Sequence, residues 1–156
     1  MWVKPGGGVP PHVHPSFEEA FEVIEGRLQV LAGRTWHEAG PGETVVASPG
    51  TRHAYRNRGG TETHAICWAS PPSDLLEGFL ADAAALGRAG RLTKRGIPKT
   101  PTALLQAAVM SEHYREMVVL GSPPLPPFGL DRFLMPPLAR LGRRRGYLPG
   151  AIMGGE

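Results

Sequence analysis

Apolar and polar residues alternate with a period of two through most of the first 70 positions, broken at short intervals by glycine and proline. In Glu19-Ala20-Phe21-Glu22-Val23-Ile24 that alternation sends Glu19, Phe21 and Val23 to one face of a strand and Glu22 to the other. Residues 27–31 and 35–38 flank Ala32-Gly33-Arg34 as the arms of a hairpin. Residues 43–47, 53–57 and 62–69 follow as strands, separated by Pro41-Gly42, Ser48-Pro49-Gly50-Thr51 and Arg58-Gly59-Gly60-Thr61. Residues 1–3 form a short strand before a glycine loop over 4–8. Short strands with this punctuation predict an antiparallel sandwich or small barrel ending near Ser70.

The pattern changes after Pro71-Pro72. Leu75, Leu76, Phe79, Leu80, Ala83 and Leu86 recur at helical spacing behind Ser73, a plausible N-cap, and predict an amphipathic helix of about three turns. Residues 87–99 read as a basic linker. Thr100-Pro101 is a cap followed by proline at the first helical position, so a second helix is expected over 103–120. Four prolines make 121–129 extended. Residues 130–141 predict a final helix, broken or kinked near Pro136-Pro137, with Arg143-Arg144-Arg145 after it. The expected organisation is a β domain over 1–70 and a helical, proline-rich, basic C-terminal extension over 71–156.

Composition narrows this in three ways. With 156 residues the chain is long enough for one domain with a real core, and 21 Gly and 17 Pro favour short strands over long helices. No apolar run approaches the roughly 20 residues that cross a bilayer, and the N-terminus lacks a basic-then-apolar signal, so a cytoplasmic protein is expected. Cys67, the single cysteine, excludes an internal disulfide framework and lies in the apolar run Ala65-Ile66-Cys67-Trp68 as a buried thiol. The net charge of +3 belongs to the second half: residues 1–70 hold 6 Lys/Arg against 7 Asp/Glu, leaving 11 against 7 for the remainder.

The candidate chemistry starts at His12-Val13-His14. On a strand, residues i and i+2 face the same side, so both imidazoles point one way, and Glu19 returns a carboxylate to them after Pro15-Ser16-Phe17. Imidazole with carboxylate suits a divalent transition metal, one of Fe, Mn, Ni, Co, Cu or Zn. A His-x-His beside proline is equally compatible with a surface turn. His53, just inside a strand after a tight turn, supplies the fourth donor.

These two stretches resemble the motifs of the cupin superfamily. The first motif runs glycine, five residues, His-x-His, three or four residues, Glu, six residues, glycine; Gly6, His12, His14, Glu19 and Gly26 match it. The second runs glycine, five residues, Pro-x-Gly, two residues, His, three residues, Asn; Gly42, Gly50, His53 and Asn57 match, while Ser48 stands at the proline position and Pro49 follows it. The resemblance covers about residues 5–70. It implies a mainly β, cupin-type antiparallel barrel (double-stranded β-helix, or jelly roll) and one divalent metal held by His12, His14, Glu19 and His53.

Cupins with this ligand set include dioxygenases acting on enols and flavonols, isomerases, decarboxylases, polyketide cyclases and proteins that only bind; the fold does not select among them. Phe21, Val23 and Tyr55 are expected to line an apolar pocket, with His64 and Trp68 reaching it from the last strand, and Tyr55 is the candidate proton donor. Glu18 reads as a second carboxylate beside the ligands or a solvated one, His37 and His113 as surface residues, and Trp36 as barrel packing. The leading reading is a metal-dependent oxygenase acting on a small aromatic or enolic compound; the alternative is a non-catalytic ligand-binding module whose helical tail engages a partner.

Cupins usually have more strand before the first motif. Either the barrel is short at that edge or the C-terminal segment covers it, and an uncovered edge would favour a homodimer. Leu134, Leu138 and Leu141 with Arg140 and Arg143–Arg145 would suit contact with an anionic membrane surface, though such a run is more often a solvated helix end. Nucleic acid is not expected, since no aromatic residues interleave the arginines.

Overall fold

The computed structural model describes residues 1–120 and 130–149, which divide into two compact units. The first holds Met1–Ser73 and a returning strand, Val119–Leu120; the second is helical.

The first unit is two antiparallel sheets. One has the order β1 (Trp2–Val3), β8 (Thr63–Ser70), β3 (Glu18–Glu25), β6 (Thr44–Ala47). The other has the order β5 (Thr35–Ala39), β4 (Leu28–Ala32), β7 (His53–Arg56), β2 (Gly8–Val13), β9 (Val119–Leu120). Val3, Phe21, Val23, Leu28, Val30, Ala39 and Ala65 form one buried core, with contributions from both sheets. Val23 and Phe21 are fully buried, as the strand parity requires.

Three Pro-Gly pairs make the turns. Pro5-Gly6, Pro41-Gly42 and Pro49-Gly50 each occupy the centre of a turn closed by an i+3 to i hydrogen bond: Gly7 N–H to Lys4 O, Glu43 N–H to Gly40 O and Thr51 N–H to Ser48 O. Each central glycine has positive φ, between 75° and 81°, the type II geometry that proline at the preceding position favours. Ser48 in place of the motif proline therefore leaves a well-formed turn before His53. Asn57 ties this end of the barrel together: its amide donates to Val3 O and Thr61 O, and its Oδ1 accepts from Gly59 N–H.

Two expectations change. The second helix, α2, runs Pro101–His113 and stops at Tyr114; Val119–Leu120 is instead β9, paired antiparallel with β2 through Val13↔Val119 and His12↔Leu120. The β-branched pair Val118-Val119 suits a strand better than a helix end, and Val119–Leu120 covers the edge of β2. Trp36 does not fill the barrel: it is 38% exposed, with the Arg56 guanidinium 3.6 Å above its ring.

The second unit comprises α1 (Asp74–Arg88), α2 and α3 (Leu130–Arg144). Leu76, Ala85 and Leu86 are buried on α1, whereas Leu75 and Leu80 are half exposed. Asp82 is buried as well, and the Tyr114 hydroxyl donates to its Oδ2 at 3.1 Å. Thr100 caps α2 by accepting from Ala103 N–H. Ala108 and Val109 pack on Ala139 of α3, which runs without interruption through Pro136 and Pro137. Residues 121–129 lie outside the described residues.

Candidate metal centre

The local path of β2 places the first two imidazoles. Val9 pairs with Tyr55 and His12 with His53, so three steps on β2 match two on β7. The extra residue falls at Pro10-Pro11, a bulge at residues that have no N–H to lose from a ladder. Tyr55 and His53 share a face of β7, so the bulge turns His12 to the same side as Val9, and His14 follows two residues later.

The four donors converge. His12, His14, Glu19 and His53 each offer one ligand atom, and all four atoms lie within 4.8 Å of one another. Glu19 Oε2 is 2.8 Å from His53 Nε2, 3.6 Å from His14 Nε2 and 3.9 Å from His12 Nε2. Three of the residues are buried and His12 is partly so. Phe17 stacks on His14 with ring centroids 4.4 Å apart, and Phe21 stands 6.3 Å from His53 and 5.5 Å from Tyr55.

Backbone carbonyls hold the outer ring nitrogens. His53 Nδ1 donates to Thr51 O at 2.8 Å and His12 Nδ1 to Pro10 O at 3.0 Å. A carbonyl only accepts, so Nδ1 carries the proton and Nε2 is the inward donor atom, the arrangement in which outer hydrogen bonds orient metal-bound imidazoles. Burial, joined by the His53 and His14 charges, lowers His12 to about 4, so it is neutral and able to ligate at pH 7. For Glu19 burial acts in the opposite direction, but hydrogen bonds with His14, His53 and Cys67 outweigh it and hold the carboxyl well below its usual range. Three imidazole nitrogens and one carboxylate oxygen, gathered within 4.8 Å of one another, fit a divalent transition metal.

Tyr55 is partly buried against Phe21, and burial pushes its hydroxyl up, so it keeps its proton. Val23 lies in the core cluster beside Phe21. His64 and Trp68 do not face the barrel interior. In β8 the small residues Ala65 and Cys67 point inward, while His64 stacks on Trp2 at 4.2 Å and Trp68 is 41% exposed on the outer face. The interior is already filled by Phe21, Leu28 and Val30, which leaves room there only for small side chains on β8. Glu18 is partly exposed on the strand face opposite Glu19, and His37 and His113 are exposed.

The sequence pattern read Cys67 as a buried thiol without placing it beside Glu19, and it did not single out Phe17. Cys67 Sγ donates to Glu19 Oε1 at 3.0 Å, and burial followed by the Glu19 charge pushes its thiol up. Its place beside Glu19 follows from the register: Glu19 opposes Ala69 and Phe21 opposes Cys67, so Cys67 is the diagonal neighbour of Glu19.

The cupin domain family model matches residues 1–69. No curated protein matches the chain. Similar solved structures include a Klebsiella pneumoniae protein with a double-stranded β-helix domain (25% identity, TM-score 0.43, covering 46% of this chain and 64% of that one). Another is a predicted oxalate decarboxylase from Thermotoga maritima (21%, 0.42, covering 43% and 58%). A third is a cupin-superfamily sugar phosphate isomerase from Silicibacter pomeroyi (23%, 0.39, covering 42% and 44%). The chain spans less than two thirds of the length of each.

Proposed function

Residues 1–69 of this chain are a cupin domain, and from that premise we propose that it holds one divalent transition metal and oxidises a small aromatic or enolic substrate with dioxygen. The observation that carries this reading is the convergence of three imidazole nitrogens and one carboxylate oxygen within 4.8 Å. On an octahedral ion that set leaves two positions for substrate or dioxygen. When bound, the metal supplies Lewis acidity toward a substrate oxygen and, if redox-active, one-electron chemistry with dioxygen.

The chain's own residues do the rest. His12, His14, His53 and Glu19 fix the orientation of the bound group, and Thr51 and Pro10 fix the imidazoles. Phe17 and Phe21 supply an apolar wall that disfavours water, and Tyr55 keeps its proton and so can offer a hydrogen bond to a substrate oxygen. The test is to load the protein separately with Fe, Mn, Ni, Co, Cu and Zn and to measure oxygen consumption with flavonols and β-diketones. Turnover with iron or nickel is expected; stoichiometric metal without turnover across the panel would contradict the oxygenase reading.

That outcome would favour the second reading, a ligand-binding module with an interacting tail. It draws support from α3, where Phe133, Leu134 and Leu141 are 77%, 51% and 42% exposed beside Arg140, Arg143 and Arg144. A homodimer belongs to both readings. With β9 covering the β2 edge, its support is now the outer face of the other sheet, where Trp2, Val46, Ile66 and Trp68 stay exposed. A monomer by light scattering would count against it.

A further inference from the structure

The two oxygens of Glu19 have different neighbours. Oε2 faces the three imidazole Nε2 atoms, the nearest at 2.8 Å, and Oε1 accepts from the Cys67 thiol at 3.0 Å. Cys67 Sγ is not among the converging donor atoms found in the described residues. It sits on the far side of the carboxylate.

We propose that Cys67 is a positioning residue: its thiol holds Glu19 Oε1 away from the ion, so that the carboxylate ligates through Oε2 alone and two neighbouring coordination positions stay open for a chelating substrate. This rests on the metal reading above. A carboxylate binds a cation through one oxygen or through both. With three imidazoles already in place, a two-oxygen carboxylate would leave an octahedral ion one open position, and a substrate offering two oxygens needs two.

The geometry makes the thiol suited to this task. An ionised carboxylate only accepts hydrogen bonds, and a thiol has one proton to give, so the contact has a single direction. Cys67 projects from β8 onto Oε1 from the strand next to β3, while β2 and β7 bring the imidazoles to Oε2 from the opposite sheet. The carboxylate is therefore held from both sides, and loss of the thiol frees its rotation about the last side-chain bond. Serine keeps a donor at that position and alanine does not, which makes the pair diagnostic.

The experiment compares wild type, Cys67→Ser and Cys67→Ala after loading with cobalt(II). Cobalt per chain is measured by elemental analysis, the visible d–d spectrum is recorded, and acetohydroxamate, a two-oxygen chelator, and azide, a single donor, are titrated in. One cobalt per chain is expected in all three proteins, with matching spectra for wild type and Cys67→Ser. In Cys67→Ala the spectrum changes and acetohydroxamate binds on the order of tenfold more weakly, the usual scale for losing an outer hydrogen bond at a metal site, while azide binding is unchanged.

Equal spectra and equal chelator affinity in wild type and Cys67→Ala would overturn the inference and leave the metal reading standing. So would a sulfur-to-cobalt charge-transfer band in wild type that both variants lose, because Cys67 would then be a ligand. Wild-type protein that takes up no cobalt would overturn the metal reading and this inference together. Should Cys67→Ala fail to fold, as judged by circular dichroism, Cys67→Val applies the same test with a side chain of similar volume and no donor.

Discussion

His53 sits between two acceptors. Its Nδ1–H is given to Thr51 O, and its Nε2 lies 2.8 Å from an oxygen of Glu19, which also accepts. A divalent cation would satisfy both donors at once, so His53→Ala is expected to lower metal occupancy by about tenfold or more, measured by elemental analysis. Full occupancy in that variant would remove His53 from the donor set. The converging side chains were legible because His-x-His and the later histidine come at spacings that a strand converts into one face. The contact of Cys67 with Glu19 and the outward face of Trp68 were not, because Ala65-Ile66-Cys67-Trp68 is apolar throughout and its alternation does not tell which residues meet the carboxylate.

A second buried pair sets a pH limit. Burial and Asp82 push the Tyr114 hydroxyl upward from its ordinary value of 10.0. The fold favours the neutral phenol, so this contribution to stability is complete below about pH 10 and is lost as pH rises through the elevated folded value. Tyr114→Phe removes one hydrogen bond, is expected to cost about 1 kcal/mol at neutral pH, and should flatten the alkaline fall. Urea denaturation of both proteins across pH 8–11 checks this; parallel alkaline curves would assign the fall to other groups.

At the scale of elements, the strands were readable because proline and glycine mark their ends. The turns at Pro5-Gly6, Pro41-Gly42 and Pro49-Gly50 all form where the pattern puts them. The Pro10-Pro11 bulge was less accessible: a period of two cannot carry an inserted residue, yet without that insertion His12 and Val9 would face opposite sides. Residues 114–120 misled because their apolar content continues that of α2, whereas pairing with β2 decides their conformation.

Helix packing gives a prediction of sign. Alanine usually exceeds glycine in a helix by about 1 kcal/mol, but a Cβ on Gly142 of α3 would meet Val109 Cγ2 at 2.7 Å and Leu105 O at 2.9 Å. The carbonyl belongs to α2 backbone and cannot swing aside, so Gly142→Ala is expected to destabilise the helical unit by about 1–3 kcal/mol. Gly87→Ala, where nothing lies within 4 Å, should be neutral or slightly stabilising. Thermal denaturation of the two variants settles the order, and a Gly142→Ala protein as stable as wild type would show that α2 and α3 can separate freely.

Across the whole molecule, the chain combines a β unit that carries the candidate metal centre with a helical unit that carries the basic residues of the second half. The resemblance could be read from two short motifs, and the cupin domain family model matches residues 1–69. The substrate is less legible, since a candidate centre of three imidazoles and one carboxylate is compatible with many reactions. No described helix is long and apolar enough to cross a membrane.

The central claim is that His12, His14, Glu19 and His53 hold one metal ion, and elemental analysis of the purified full-length chain beside its His12→Ala/His14→Ala variant tests it most directly. One divalent transition metal per chain in wild type and a drop of at least about tenfold in the variant are expected. Equal, stoichiometric metal in both proteins would place the ion elsewhere, and a wild-type protein that takes up none of the six metals on reconstitution would contradict the account.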